Sequence, residues 1–75
     1  MDDKEKVIKI ISIITKIDIK LINDSFSMND HIKWDSLAHL NIMLQIERNF
    51  KKKISTSKMS NLNSVDKILK FLKKW

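Results

Sequence analysis

The chain contains no cysteine, no glycine and no proline among its 75 residues. Without cysteine it can form no disulfide scaffold, no thiolate metal site and no cysteine nucleophile, which fits a reducing compartment. Glycine supplies the positive φ angles of tight hairpins and of most loops that hold phosphate groups. A β-rich fold and a glycine-rich phosphate loop are therefore not expected, and stability has to come from packing.

The sequence also lacks a long uninterrupted apolar run. Its most apolar segment, residues 7–22, is broken by charged residues, namely Lys9, Lys16, Asp18 and Lys20, whereas a bilayer core needs about 20 mainly apolar residues. The N-terminus begins with acidic residues rather than with a basic stretch followed by an apolar one. We therefore expect a cytoplasmic protein with no signal peptide and no stable membrane insertion.

Size and composition predict one small domain over residues 1–75. The chain has a mass of 8.9 kDa, and 43% of its residues are hydrophobic and 32% charged. A domain of this size buries about 60% of the surface that its unfolded chain exposes. It can build one core, and we expect it to fold as a monomer.

The net charge of +6 is concentrated in the second half of the chain. Residues 1–35 hold six lysines against seven acids, whereas residues 36–75 hold eight lysines and Arg48 against only Glu47 and Asp66. A basic half of this kind suggests a small helical module that binds nucleic acid, with the second helix as its recognition helix. Two observations argue against this interpretation. An A/T-rich coding sequence would produce the same bias toward Lys, Ile and Asn, and the chain has only one arginine with which to recognise bases.

Helical spacing of apolar residues predicts four helices. These are a first helix over 3–17, a second over 35–50, a short one over 57–61 and a last one over 64–74. Asp35 or Ser36 can cap the second helix, and Asn63 or Ser64 the last. Residues 18–34 form a long first loop. The expected architecture is an all-α bundle of three long helices and one short helix.

Helical spacing predicts the core positions of the helices, and the scattered apolar residues of the loop predict where the loop is anchored. The expected positions are Val7, Ile10, Ile11, Ile14 and Ile17 in the first helix, Leu21, Ile22, Phe26, Met28 and Ile32 as anchors of the loop, and Val65, Ile68, Leu69, Leu72 and Trp75 in the last helix.

The second helix carries two apolar stripes. Ile42, Met43, Ile46 and Phe50 form one, and Leu37, Leu40 and Leu44 form another, well over a hundred degrees away at about 100° per residue. A helix on the surface of a small bundle needs one stripe for its own core. The leucines therefore indicate either a contact with a partner or a wider buried face.

Residues 34–40 read Trp-Asp-Ser-Leu-Ala-His-Leu, and here the chain resembles the acyl carrier protein family. The resemblance continues through the second helix to Glu47 and Phe50, to Ile54, and to the opening of the last helix at residues 64–66. The form Trp-Asp-Ser-Leu-x-His is similar to that of free-standing carriers encoded beside specialised biosynthetic enzymes.

The resemblance implies that Ser36 is the attachment residue for 4'-phosphopantetheine, whose thiol carries an acyl or aminoacyl group as a thioester in lipid or secondary metabolite biosynthesis. The protein would not be an enzyme. A phosphopantetheinyl transferase would supply the arm from coenzyme A, and acyl-loading and acyl-transfer enzymes would use it. Asp35 would cap the helix or help to engage the transferase and its metal ion, and Leu37, Leu40 and Leu44 would form the docking stripe.

The chain departs from the family pattern in two ways. Lys33 and Trp34 stand where many members have glycine or a small residue, so Trp34 either packs on the core, as we expect, or flanks the cargo. Carriers of fatty-acid synthesis typically present an acidic second helix, but here the exposed positions hold uncharged or basic residues, namely Asn41, Gln45, Arg48 and Lys51 to Lys53. We expect dedicated partners that dock through the leucines or bear acidic patches.

Other candidate sites are weaker. His31 and His39 lack the further ligands of a zinc site, and His39 is expected to be a partly buried structural residue. Ser36 and His39 have helical spacing, but no oxyanion-hole glycine or orienting third residue supports a catalytic pair. Residues 70–75 resemble a basic amphipathic membrane helix, and we interpret them as the closing helix of the bundle.

Overall fold

Four α-helices make up most of the computed structural model, which describes residues 2–73. They are α1 (Asp3–Thr15), α2 (Ser36–Phe50), α3 (Thr56–Asn61) and α4 (Val65–Lys73), with two short 3₁₀ turns between α1 and α2. The predicted all-α bundle with a long first loop is confirmed. The predicted end of the last helix at Lys74 and the predicted burial of Trp75 lie outside the described residues.

The helix starts are set by side-chain caps. Asp2 accepts a hydrogen bond from the Glu5 amide at 2.8 Å at the start of α1, Ser55 accepts one from the Lys58 amide in α3, and Ser64 accepts one from the Lys67 amide in α4. Each bond satisfies an amide that has no partner inside its own helix. Of the two predicted caps of the last helix, the residue that acts is Ser64.

The first helix ends two residues before its predicted end at Ile17. Lys16 adopts the left-handed conformation with φ of 65°, and its amide donates to the Ser12 carbonyl. The hydroxyl of Ser12 in turn donates to the Ile17 carbonyl at 2.7 Å. Ile17 is still buried, so its spacing predicted its burial correctly and its helical conformation wrongly.

One core fills the space where α1 packs against α2 and α4. It includes the predicted positions that are almost fully buried, namely Val7, Ile11, Ile17, Ile42, Met43, Ile46, Val65, Ile68 and Leu72. Ile10, Ile14, Phe50 and Leu69 are partly buried and pack against it.

The loop between α1 and α2 is attached to the beginning of α4. The Phe26 carbonyl accepts from the Val65 amide at 3.0 Å, and the Asn63 carbonyl accepts from the Met28 amide at 2.9 Å. Ile22 and Phe26 are buried as predicted, and Met28 is partly buried. The predicted anchoring of Leu21 and Ile32 is wrong.

Leu21 and Ile32 lie in stretches of the loop whose backbone makes polar contacts. Leu21 closes a 3₁₀ turn that is capped by the Asp18 side chain, and Ile32 is 90% exposed. Loop residues do not share a helical period, so apolar character alone did not predict the direction of these two side chains.

An ion pair joins α1 to this loop. Lys4 Nζ lies 2.8 Å from Asp24 Oδ1, and the hydrogen bond and charge of Asp24 raise the pKa of Lys4 above its usual value.

None of the helices within residues 2–73 is both long enough and apolar enough to cross a bilayer.

Candidate functional site

Asp35 fixes the point at which the long loop becomes α2. Its backbone is extended, its Oδ1 accepts from the Ala38 amide at 2.9 Å, and its carbonyl accepts from the His39 amide at 2.8 Å. This is the geometry of an N-cap residue, so the predicted start of the second helix is confirmed, with Asp35 as the cap.

Ser36 is the first residue of α2, and its side chain is exposed to solvent. Within residues 2–73 the Ser36 hydroxyl has no hydrogen-bond partner, and neither do the backbone amides of Ser36 and Leu37. The first amides of a helix carry partial positive charge and favour an anion. A phosphate group on the Ser36 oxygen would therefore stand beside unpaired N–H donors.

The leucine row, defined as Leu37, Leu40 and Leu44, continues from Ser36 along the outer face of α2. These side chains are 70%, 47% and 42% exposed, whereas Ile42, Met43 and Ile46 of the same helix are fully buried. Of the two interpretations of these leucines that the sequence allowed, the wider buried face is therefore wrong. The row remains available to a partner.

Trp34 and His39 flank Ser36 in the sequence but lie inside the molecule. Trp34 is 1% exposed and stacks on Phe26 with ring centroids 6.0 Å apart. Its indole Nε1, which can only donate, is 3.1 Å from His39 Nδ1, and His39 Nε2 is 2.7 Å from the Met59 carbonyl. The expectation that Trp34 packs on the core is confirmed.

These two contacts determine the tautomer of His39. Nδ1 must be unprotonated to accept from Trp34, so Nε2 carries the proton and donates to Met59. The contacts join the loop, the first turn of α2 and α3. His39 is 8% exposed, which confirms the structural interpretation of this residue.

The arrangement does not bring Ser36 and His39 together as a catalytic pair. Both ring nitrogens of His39 are engaged inside the molecule, and the Ser36 hydroxyl faces solvent. His31 Nδ1 accepts from the Lys33 amide. Among the residues that the structure describes, no three His, Asp or Glu side chains are placed to hold one metal ion.

Ile13 and Ile32 are further exposed apolar residues, and the sequence did not predict their exposure. Ile13 of α1 is 66% exposed and lies in a groove beside Leu44, and Ile32 stands four positions before Ser36 in the loop. Ile13 lies outside the apolar stripe of its helix, and this position could have predicted its exposure. Ile32 offered no such indication, because its exposure depends on the path of the loop.

A scan against models of known protein families finds no match, and a search of curated proteins finds no significant one. What this site can do is therefore inferred from its own residues, together with the resemblance in residues 34–40.

Proposed function

We propose that this chain is an acyl carrier protein that bears 4'-phosphopantetheine on Ser36 and serves a specialised biosynthetic pathway in the cytoplasm. The observation that carries the proposal is the exposed Ser36 hydroxyl at the first position of α2. A transferase must reach this oxygen from solvent, and a serine in the interior of a helix offers neither the same access nor the unpaired amides.

The residues around Ser36 fit a covalently bound phosphodiester. Asp35 takes up the Ala38 amide, and the amides of Ser36 and Leu37 remain unpaired at the positive end of the helix, where an anion is favoured. The bound arm supplies a terminal thiol on which an acyl or aminoacyl group travels as a thioester. The protein's own residues only hold and present this arm, and we assign no catalytic residue.

The leucine row supports the partner side of the proposal. A carrier has to bind a transferase and then acyl-loading and acyl-transfer enzymes, each for a short time. The exposed leucine row begins next to Ser36, so a partner bound to it would lie beside the phosphopantetheine arm.

The test is incubation of the purified unmodified protein with coenzyme A and a broad-specificity phosphopantetheinyl transferase. We expect the intact mass to increase by one phosphopantetheine, and fragmentation to locate it on Ser36. An established carrier domain in the same tube shows that the transferase is active.

Two serine variants make the result specific. Ser36→Ala must stay unmodified, whereas Ser60→Ala, which removes another exposed serine hydroxyl, must be modified like the parent protein. Modification of Ser36→Ala, or an unchanged parent mass beside a converted control carrier, would refute the proposal.

The alternative, a basic nucleic-acid-binding module, predicts a different result. It requires binding to duplex DNA or RNA that weakens steeply as salt rises, because cations on the protein displace counterions from phosphates. Such binding without modification of Ser36 would favour the alternative.

A further inference from the structure

A groove runs between α1 and α2 beside the leucine row. The two helices are antiparallel there, because Lys6 of α1 lies opposite Asn49 of α2 while Ile13 lies opposite Asn41 and Leu44. The section lined by Lys6 and Asn49 has a volume of about 540 Å³. From Asn41 to Asn49 the groove extends for about 12 Å along α2, which is more than two helical turns.

The groove has an apolar floor that continues into the leucine row. Ile10 and Ile14 are partly buried at its base, and Ile13 and Leu44 are exposed beside it. Leu44 is also the last member of the leucine row. One apolar surface therefore extends from the first turn of α2 across to α1, and such continuity is typical of a protein interface.

The charge of the groove has a single sign. Among the described residues that line it, Lys6, Lys9 and Arg48 are cationic and none is acidic. The only acid within α2 is Glu47, whose carboxylate accepts from the Ile54 amide at 2.7 Å outside the groove. An acidic partner would meet cations here without facing a repelling carboxylate.

We propose that the α1–α2 groove, together with Leu44, binds an amphipathic helix of a partner protein with apolar residues on one face and carboxylates on its flanks. A helix laid in the groove would cover Ile13 and Leu44 with its apolar face and place its acids near Lys9 and Arg48. We identify this partner as an enzyme that acts on the carrier, and this identification rests on the proposed function. The binding itself does not require a modified Ser36.

The test is a titration of isotope-labelled full-length protein with a synthetic helical peptide, followed by NMR. The peptide has about 14 residues, or about 21 Å of helix, with leucines at helical spacing and glutamates on the flanks. A scrambled peptide of the same composition keeps the charge and loses the apolar face. We expect saturable shifts of the amides of Lys9, Ile13, Leu44 and Arg48 with the first peptide only.

Matched variants separate the groove from the overall charge. Lys9→Glu with Arg48→Glu should weaken binding by about tenfold or more, whereas Lys53→Glu with Lys67→Glu makes the same change in formal charge outside the groove and should leave binding within about twofold. Likewise, Ile13→Asn should weaken binding and Leu21→Asn, at an exposed leucine elsewhere, should not.

Three outcomes would overturn the proposal. The first is that the scrambled peptide shifts the same amides equally, and the second is that both charge-reversal pairs weaken binding equally. The third is that the groove amides do not shift with the peptide but do shift when the protein alone is concentrated or when anionic vesicles are added. The titration is repeated with Ser36→Ala, which we expect to bind the peptide normally. If the parent protein binds the peptide but no active transferase modifies it, the carrier function is refuted and the groove proposal stands.

Discussion

At the scale of single residues, the segment from Trp34 to His39 divides into inward and outward side chains. Trp34 and His39 are buried and hydrogen-bonded to each other, whereas Asp35, Ser36 and Leu37 are exposed. The buried pair fixes the backbone on both sides of the exposed serine. The Ser36 hydroxyl therefore faces solvent from a turn that is itself held in place.

The two roles considered for Asp35 can be separated by substitution. Asp35→Asn keeps an oxygen that can accept from the Ala38 amide, so we expect the free energy of unfolding to stay within about 0.5 kcal/mol of the parent, whereas Asp35→Ala should lose about 1 kcal/mol. If Asp35 also engages the transferase, both variants should be modified more slowly. Urea denaturation and the rate of mass increase measure the two effects. A normal rate for Asp35→Asn would leave capping as its only role.

The Trp34–His39 hydrogen bond should contribute measurably to stability. Trp34→Phe leaves His39 Nδ1 buried without a donor, which costs about 1–3 kcal/mol in addition to the loss of packing. A double-mutant cycle with His39→Leu isolates the bond, and we expect a coupling energy of about 1 kcal/mol. Additive losses in urea denaturation would contradict the geometry described here.

At the scale of elements, the absence of glycine has a direct consequence at two helix ends. The residues after α1 and α2, Lys16 and Lys51, have φ of 65° and 54°. Helices commonly end in this left-handed conformation, and glycine is the usual residue there because it has no Cβ. In this chain lysine occupies both positions despite a steric cost of about 1–2 kcal/mol.

Lys51→Gly should therefore stabilise the protein. Removal of the Cβ relieves the left-handed strain, and the greater flexibility of the unfolded chain offsets part of the gain, so we expect an increase of about 0.5–1 kcal/mol in the free energy of unfolding. The matched control is Lys53→Gly, at a residue with negative φ, which should not stabilise. Equal effects of the two substitutions in thermal unfolding would argue against strain at Lys51.

The two apolar stripes of α2 should respond differently to truncation. Ile42→Ala opens a cavity in the core and should cost about 2–5 kcal/mol, whereas Leu40→Ala changes an exposed position and should stay within about 0.5 kcal/mol. Denaturation of both variants measures this. A large loss for Leu40→Ala would mean that the leucine row supports the fold instead of facing a partner.

The helices could be predicted from the sequence apart from the end of α1, whereas the loop could be predicted only in part, through the burial of Ile22 and Phe26. A period of 3.6 residues repeats over the 15 residues of α2, so both of its ends and its buried face followed from spacing and capping residues. The spacing also gave the positions of the leucine row, but the sequence left open whether that row is buried or exposed. Residues 18–34 have no period, and the directions of Leu21 and Ile32 depend on capped turns and on contacts with the start of α4. The α1–α2 groove requires the packing of two helices, which no single stretch of sequence contains.

At the scale of the whole molecule, a core that in the described residues consists mostly of isoleucine, leucine and valine, with Trp34, supports an exposed apolar face. The domain measures 28 × 26 × 19 Å, and its leucine row and groove lie on the side formed by α1 and α2. Three cationic residues line this side, namely Arg48 of α2 and Lys6 and Lys9 of α1. A partner would therefore meet an apolar and basic surface that begins at Ser36.

Attachment of phosphopantetheine to Ser36 is tested most directly by the intact mass of the protein after reaction with coenzyme A and an active phosphopantetheinyl transferase. We expect complete conversion to a species with one added phosphopantetheine, which fragmentation locates on Ser36. A protein that keeps its original mass while an established carrier in the same reaction is converted would contradict this expectation.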